Sequence, residues 1–366
     1  MVFLFVYALL IFRFKKSWDG LEEFHLSGNS NHTFLSVLIP ARNEESTITQ
    51  LLNAINEQTY PKDRFEVIVI DDFSTDHTVE KVKSFSSDNL FLIQPSCSAE
   101  KSSKKKAIES GVEFAKGELI ITTDADCVPD PLWLETINQF YIQKQSTLIA
   151  SPVKYVYDFT ILGIFQSLDF LTLQGITAAS VASRSLTLCN GANLAYTKYT
   201  FEEVNGFKGI DHIATGDDLL LMYKIYSKGP EKVQYLKSKT AIVSTSPMHS
   251  WKQFISQRKR WGSKSFIYKD QRILWVLAFV YMLNLLFIIL LAYSFFHPAF
   301  WLFSLAYLLF KSLIEWRFVN SVARFYNEQA LMKYFILFQP LHILYTVAIG
   351  IISQVGTYEW KGRRTK

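Results

Sequence analysis

Leu119-Ile120-Ile121-Thr122-Thr123-Asp124-Ala125-Asp126 decides how this sequence is read. An apolar, β-branched run without polar alternation describes a short strand buried on both faces. It runs directly into two carboxylates spaced i and i+2. Such a pair repels itself unless a cation lies beside it, and hard carboxylate oxygens suit Mg²⁺ or Mn²⁺ carrying a diphosphate. An Asp-x-Asp triplet is also an ordinary surface turn, so its weight depends on its surroundings.

Outward from this strand, apolar runs at 36–39, 67–70, 90–93 and 147–150 alternate with helical patterns, the signature of βαβ units and a mainly parallel sheet. Ile48, Leu51, Leu52 and Ile55 fall on one helical face behind Ser46 as a cap. A second helix carries Val79 and Val82. A third is expected over 104–116, striped by Ala107, Ile108, Gly111, Val112 and Ala115 and stopped by Gly117.

In open α/β sheets ligands bind beyond the carboxyl ends of the strands, and polar motifs follow the strands here. Pro40-Ala41-Arg42-Asn43-Glu44-Glu45 leaves the first strand. Asp71-Asp72 ends the second, a pair suited to a base N–H or to ribose hydroxyls, whereas Asp76 reads as a helix cap. Lys101, Lys104, Lys105 and Lys106 surround the start of the third helix, where the dipole disfavours lysine, so anionic company such as phosphate is expected. Asp217-Asp218 opens an apolar helix at 219–225, a position that keeps a carboxylate ionised and able to act as a base. An amphipathic stretch at 251–268 holds Gln257-Arg258-Lys259-Arg260-Trp261, residues that also suit a membrane interface.

The chain has 366 residues, 49% of them hydrophobic, and the apolar ones gather at its two ends. Residues 273–296 carry no charge and exceed the roughly 20 residues that cross a hydrocarbon core. A second span is expected at 299–314, interrupted late by Lys311, and a third at 334–352, with Pro340 as a possible kink. Residues 315–333 read as an interfacial amphipathic helix. The run at 1–12 is too short for an ordinary span; Arg13, Lys15 and Lys16 after it place its end in the cytosol, as a short signal anchor. The sequon Asn31-His32-Thr33 then lies on the wrong side for glycosylation. Three crossings after a cytosolic domain would leave the basic tail outside, so one segment is expected to be re-entrant or interfacial.

The net charge of +5 is modest, and its lysines and arginines sit beside apolar segments. That pattern points to membrane lipids with anionic headgroups, not to nucleic acid. Cys97, Cys127 and Cys189 lack metal-ligand spacing and fit a reducing compartment. The expected organisation is an anchor at 1–16, a catalytic domain at 34–250, an interface helix at 251–271, membrane helices at 272–356 and a basic tail at 357–366, in a multi-pass cell-membrane protein.

Taken in order, Pro40-Ala41-Arg42-Asn43-Glu44, Asp71-Asp72, Asp124-Ala125-Asp126, Asp217-Asp218 and Gln257-Arg258-Lys259-Arg260-Trp261 resemble the pattern of the family-2 glycosyltransferases. The match runs from about residue 35 to 261. The resemblance implies a GT-A fold, a Rossmann-like mixed α/β sheet, joined to α-helical transmembrane segments. It implies a nucleotide-sugar donor, usually UDP-linked, a divalent Mg²⁺ or Mn²⁺ on Asp124 and Asp126, and inversion at the anomeric carbon. Pro40, Arg42, Asn43, Glu44, Asp71, Asp72, Lys104, Asp124, Gln257, Arg260 and Trp261 would hold the donor. Asp218, beside Asp217, would deprotonate the acceptor hydroxyl. Gly191 and Asn193, in Cys189-Asn190-Gly191-Ala192-Asn193-Leu194-Ala195-Tyr196, would lie on the acceptor side, with Trp261 stacking on the acceptor sugar.

Two departures stand out. Gly216-Asp217-Asp218 replaces the Thr-Glu-Asp of many relatives, and Ser103-Lys104-Lys105-Lys106-Ala107-Ile108-Glu109 keeps Lys104 of Gly-Lys-x-x-Ala-Leu-Asn but not the glycine, leucine and asparagine around it. The membrane part is also shorter than in large processive synthases. The leading expectation is transfer to a lipid-linked or glycan acceptor at the cytosolic membrane face. A processive polysaccharide synthase and an inactive membrane scaffold or nucleotide sensor are the rivals. Phosphoryl transfer is disfavoured because no P-loop motif is present.

Overall fold

The computed structural model describes residues 2–28, 31–211, 213, 216–263, 270–354, 358–360 and 363–365. Along the chain run α1 (Val2–Asp19), β1 (Leu35–Ala41), α2 (Ile48–Asn56), β2 (Phe65–Asp71), α3 (Thr78–Ser84), β3 (Leu90–Ile93), α4 (Lys104–Phe114), β4 (Leu119–Thr122), β5 (Cys127–Pro129) and α5 (Trp133–Lys144). There follow β6 (Leu148–Ala150), β7 (Val153–Tyr155), α6 (Ile161–Ala182), β8 (Leu194–Thr197), α7 (Lys198–Glu203), α8 (Asp217–Tyr226), β9 (Val233–Tyr235) and β10 (Val243–Thr245). Last come α9 (Trp251–Gly262), α10 (Gln271–Phe296), α11 (Trp301–Phe325), α12 (Phe335–Ile352) and the hairpin β11 (Tyr358–Trp360) and β12 (Arg363–Thr365).

Two compact units emerge. The first to consider comprises Glu22–Lys154 and Thr187–Ser246. Its seven-stranded sheet has the order β3-β2-β1-β4-β8-β6-β9. β3, β2, β1 and β4 are parallel, β8 is antiparallel to β4 and β6, and β9 is parallel to β6, so the sheet is mixed. A second sheet has the order β5-β10-β7. The register pairs Leu35 with both Phe65 and Leu119, which brings the carboxyl ends of β1, β2 and β4 to one edge. Those strands are apolar on both faces because helices cover both, and Leu119, Ile120 and Ile121 are fully buried.

The expected helical stripes are buried: Ile48, Leu51, Leu52 and Ile55 on α2, and Ala107, Ile108, Gly111 and Val112 on α4. Their ends differ from expectation. Thr47, not Ser46, stands at the cap position of α2, without a side-chain hydrogen bond. α4 ends at Phe114, and Gly117 does not cap it. A Cβ at Gly117 would lie 2.5 Å from the Ser36 backbone nitrogen, so glycine is there to let the chain pass close over β1.

The other unit comprises Met1–Leu21, Tyr155–Leu186 and Pro247–Lys366. Four of its helices, Ile161–Ala182, Gln271–Phe296, Pro298–Phe325 and Phe335–Ile352, are long and apolar enough to cross a membrane. α6 lies inside the stretch 34–250 expected to be catalytic, and the compact units do not follow that boundary. α1 is also longer than the apolar run at 1–12, with Leu4, Tyr7, Ile11, Phe14 and Trp18 buried along one helical stripe.

The division at residue 314 into a span and a separate interfacial helix is corrected. α11 runs unbroken through Lys311 and Glu315 to Phe325, and a short 3-10 helix, Gln329–Lys333, follows. The charges are accommodated because they neutralise each other: Lys311 Nζ lies 2.6 Å from Glu315 Oε1, Gln339 Nε2 donates to Glu315 Oε2 at 2.7 Å, and the Tyr7 hydroxyl donates to Glu315.

Candidate active site

The loop after β1 and the loop after β2 are laced together. Arg42 Nη1 donates to the Asp72 carbonyl at 2.6 Å, and the Asn43 side-chain oxygen accepts from the Thr75 amide at 2.8 Å. Asn43 sits at φ 53, a left-handed conformation that asparagine tolerates. Glu44 donates its amide to Thr78 Oγ1 and accepts from Thr47 Oγ1. Asp76 accepts from the amides of Thr78 and Glu45, but the cap position of α3 falls one residue later, on His77.

Asp71 and Asp72, 1% and 2% exposed, are positioned from inside the fold. Asp71 accepts from the Ser74 amide and from Gln94 Nε2, and Asp72 accepts from Ser102 Oγ, just before α4.

Beyond β4, Lys104 Nζ lies 2.6 Å from Asp124 Oδ1 and 3.5 Å from Asp217 Oδ2. Burial alone disfavours its ammonium form, but the carboxylates of Asp124 and Asp217 outweigh that and hold its pKa above the ordinary lysine range. Of the lysines expected to meet phosphate, two are committed elsewhere. Lys105 is buried and donates to the carbonyls of Ile210 and Ile213, and Lys106 pairs with Glu109. The Lys101 side chain, and Ala214 and Thr215, lie outside the described residues.

Asp217 and Asp218 occupy the first turn of α8 behind Gly216, whose φ of 76 is one that glycine adopts without strain. Asp218 Oδ2 accepts from the Gly191 amide at 3.1 Å and Oδ1 from the Leu219 amide at 2.8 Å. Gly191 leaves room beside them: a Cβ there would lie 3.4 Å from Asp218 Cβ, 3.5 Å from Asp217 Oδ2 and 3.5 Å from Lys104 Nζ. Asn193 is fully buried, and its amide donates to the carbonyls of Pro152 and Ala241 while accepting from Trp133 Nε1. Its place is beneath the Gly191 turn, as an internal brace.

Tyr196, the last residue of the segment expected on the acceptor side, lies on β8. Its hydroxyl is buried without a hydrogen-bond partner among the described residues, and burial, with Asp217 nearby, pushes its pKa up. Cys127 is likewise pushed up by burial and by Asp126 and Asp124, as befits an inert thiol.

Asp124 and Asp126 are the carboxylates past β4 that could hold a divalent ion. Among the described residues no group of three metal-ligating side chains occurs. Two hard carboxylates past a strand fit an ion that draws its remaining oxygens from a diphosphate and water.

The Gln257-Arg258-Lys259-Arg260-Trp261 motif lies on α9, in the other unit. There the buried arginine is Arg258, not the motif's Arg260. Arg258 Nη2 lies 2.8 Å from Asp169 Oδ2 on α6, and its guanidinium stacks 4.1 Å over the Trp261 ring. The only sequence signal for this pair was Asp169, a lone charge in the apolar run of α6.

A mixed sheet of this order, with acidic motifs past β2 and β4 and at the start of α8, is the arrangement of a GT-A glycosyltransferase. The chain shares its fold with the mannosyltransferase PcManGT from Pyrobaculum calidifontis, solved with GDP-Man and Mn²⁺, at a TM-score of 0.59 over 96% of this chain and 94% of that one, with 17% identity. Residues 36–201 match Glycosyl transferase family 2, and residues 119–320 match Glycosyl transferase family group 2. The chain belongs to glycosyltransferase family 2.

Among its relatives, glycosyltransferase AglE of Haloferax volcanii is 30% identical over 51% of this chain and 59% of its own length. The 4,4'-diaponeurosporenoate glycosyltransferase of Staphylococcus aureus is 30% identical over 51% of this chain and 47% of its own. The matched region thus spans about half to three fifths of these relatives.

Proposed function

We propose that this protein is an inverting transferase that moves a sugar from a nucleoside-diphosphate donor, UDP-linked by its motif pattern, to a lipid or lipid-linked acceptor hydroxyl at the cytosolic face of a membrane. One observation carries the reading: carboxylates from the Asp124 and Asp217 motifs converge on Lys104, and Asp218 is held next to Asp217 by the Gly191 amide.

Asp71 and Asp72 hold the nucleoside, with Arg42, Asn43 and Glu44 shaping that loop. Asp124 and Asp126 are the residues to hold a divalent ion, which would stabilise the diphosphate as it departs. Asp218 takes the proton from the acceptor hydroxyl as that oxygen attacks the anomeric carbon in line, so configuration inverts. Two amide donors hold this carboxylate in place at the start of α8. The lipid side of the reading is supported by the four apolar helices and by the carotenoid acid that names the staphylococcal relative.

The test is release of UDP or GDP from a panel of donors by detergent-solubilised protein, with membrane-lipid extract and Mn²⁺ or Mg²⁺. Asp218→Asn is expected to lower transfer by about 10²–10⁴-fold, the usual contribution of a general base, with nucleotide affinity within about twofold of the parent. Unchanged turnover in this variant would sink the mechanism. A ladder of long products would replace single addition by processive synthesis.

A further inference from the structure

We infer that Lys104 is a resident counter-cation of the donor-free site: it occupies the acidic cluster, keeps a divalent ion from binding there alone, and passes to the diphosphate when ion and nucleotide enter together. The inference rests on the reading of Asp124 and Asp126 as metal-holding residues and adds an order and a coupling to it.

Its position is the first argument. Lys104 is the first residue of α4, at the positive end of the helix dipole, where an ammonium is disfavoured unless anions compensate it. Its two lysine neighbours donate to the carbonyls of Ile210 and Ile213 and to Glu109, whereas Lys104 lies beside Asp124 and Asp217. The second argument is charge. Asp124, Asp126, Asp217 and Asp218 form two acidic pairs, and the ammonium between Asp124 and Asp217 offsets part of their field. A divalent ion arriving alone must break the 2.6 Å contact with Asp124 and leave the ammonium to the longer, 3.5 Å contact with Asp217, in a pocket where its side chain is 22% exposed. A diphosphate removes that cost by giving the ammonium new oxygens.

The third argument is freedom to move. Lysine is a point charge on a flexible stem, and the missing Cβ of Gly191 leaves space 3.5 Å from Nζ. Binding of ion and nucleotide is therefore mutually favourable, and by linkage each raises the affinity of the other equally.

The experiment titrates Mn²⁺ into the full detergent-solubilised chain, following the free-ion electron paramagnetic resonance signal, first alone and then with saturating UDP or GDP. Lys104→Met is expected to bind Mn²⁺ alone at least tenfold more tightly than the parent, and the enhancement by nucleotide is expected to shrink at least tenfold. Lys104→Arg, which keeps the charge, is expected to behave as the parent and shows that the fold tolerates change at this position. If Lys104→Met binds Mn²⁺ alone no more tightly than the parent, the inference is overturned. If neither UDP nor GDP binds the parent, it is the donor-site reading that fails, while the Mn²⁺-only comparison still decides the role of Lys104.

Discussion

Gly191 shows how much of this site is set by single residues. Alanine there fits sterically, since the nearest atoms would be 3.4–3.5 Å from the new Cβ, but the methyl fills the space among Asp218, Asp217 and Lys104. Gly191→Ala is expected to melt within about 2 °C of the parent, because the contacts are ordinary van der Waals ones. Its kcat/KM is expected to fall at least tenfold, about 1.4 kcal/mol of transition-state stabilisation. Steady-state kinetics beside a melting curve check this, and undiminished kcat/KM would show the space to be unused. The motif residues Asp124, Asp217 and Asp218 were legible because charge at a strand end or helix start is visible in one dimension. The burial of the Tyr196 hydroxyl and the bracing role of Asn193 were not, since burial is a property of the neighbours and not of the residue.

At the scale of elements, the pair Arg258–Asp169 joins α9 to α6. A buried ion pair contributes little net stability, yet breaking it strands a charge, at a cost of about 3–5 kcal/mol. Arg258→Met is therefore expected to lower thermal stability in detergent sharply, because Asp169 keeps only the His342 imidazole, at 3.5 Å, of these two neighbours. The double variant Asp169→Leu with Arg258→Met is expected to recover most of the loss. A single variant as stable as the parent would show that the pair is not closed in solution. Sequence spacing pointed to Arg260 within the motif. Which arginine of 258 and 260 turns inward depends on which face of α9 meets α6, and that is decided by packing. The unbroken α11 teaches the same lesson: Lys311 read as an interruption only while its partners Glu315 and Gln339 were unknown.

For the whole molecule, one unit carries four helices long and apolar enough to cross a membrane, and α1 exposes apolar side chains, among them Phe5 and Phe12. The protein is expected to remain in the membrane pellet after alkaline carbonate and to be released by detergent. Recovery in the carbonate supernatant would overturn the membrane reading. The sequence by itself determined the strand-helix alternation, the order of the acidic motifs, the family resemblance and most of the apolar helices, because periodicity and local charge need no partner to be read. Only the tertiary structure decided that Lys104, and not Lys105 or Lys106, bridges Asp124 and Asp217, that Gly191 holds Asp218, and that α6 belongs with the apolar helices. Those outcomes depend on which distant segments are brought within a few ångströms, and hydrogen bonding and ion pairing act only at that range.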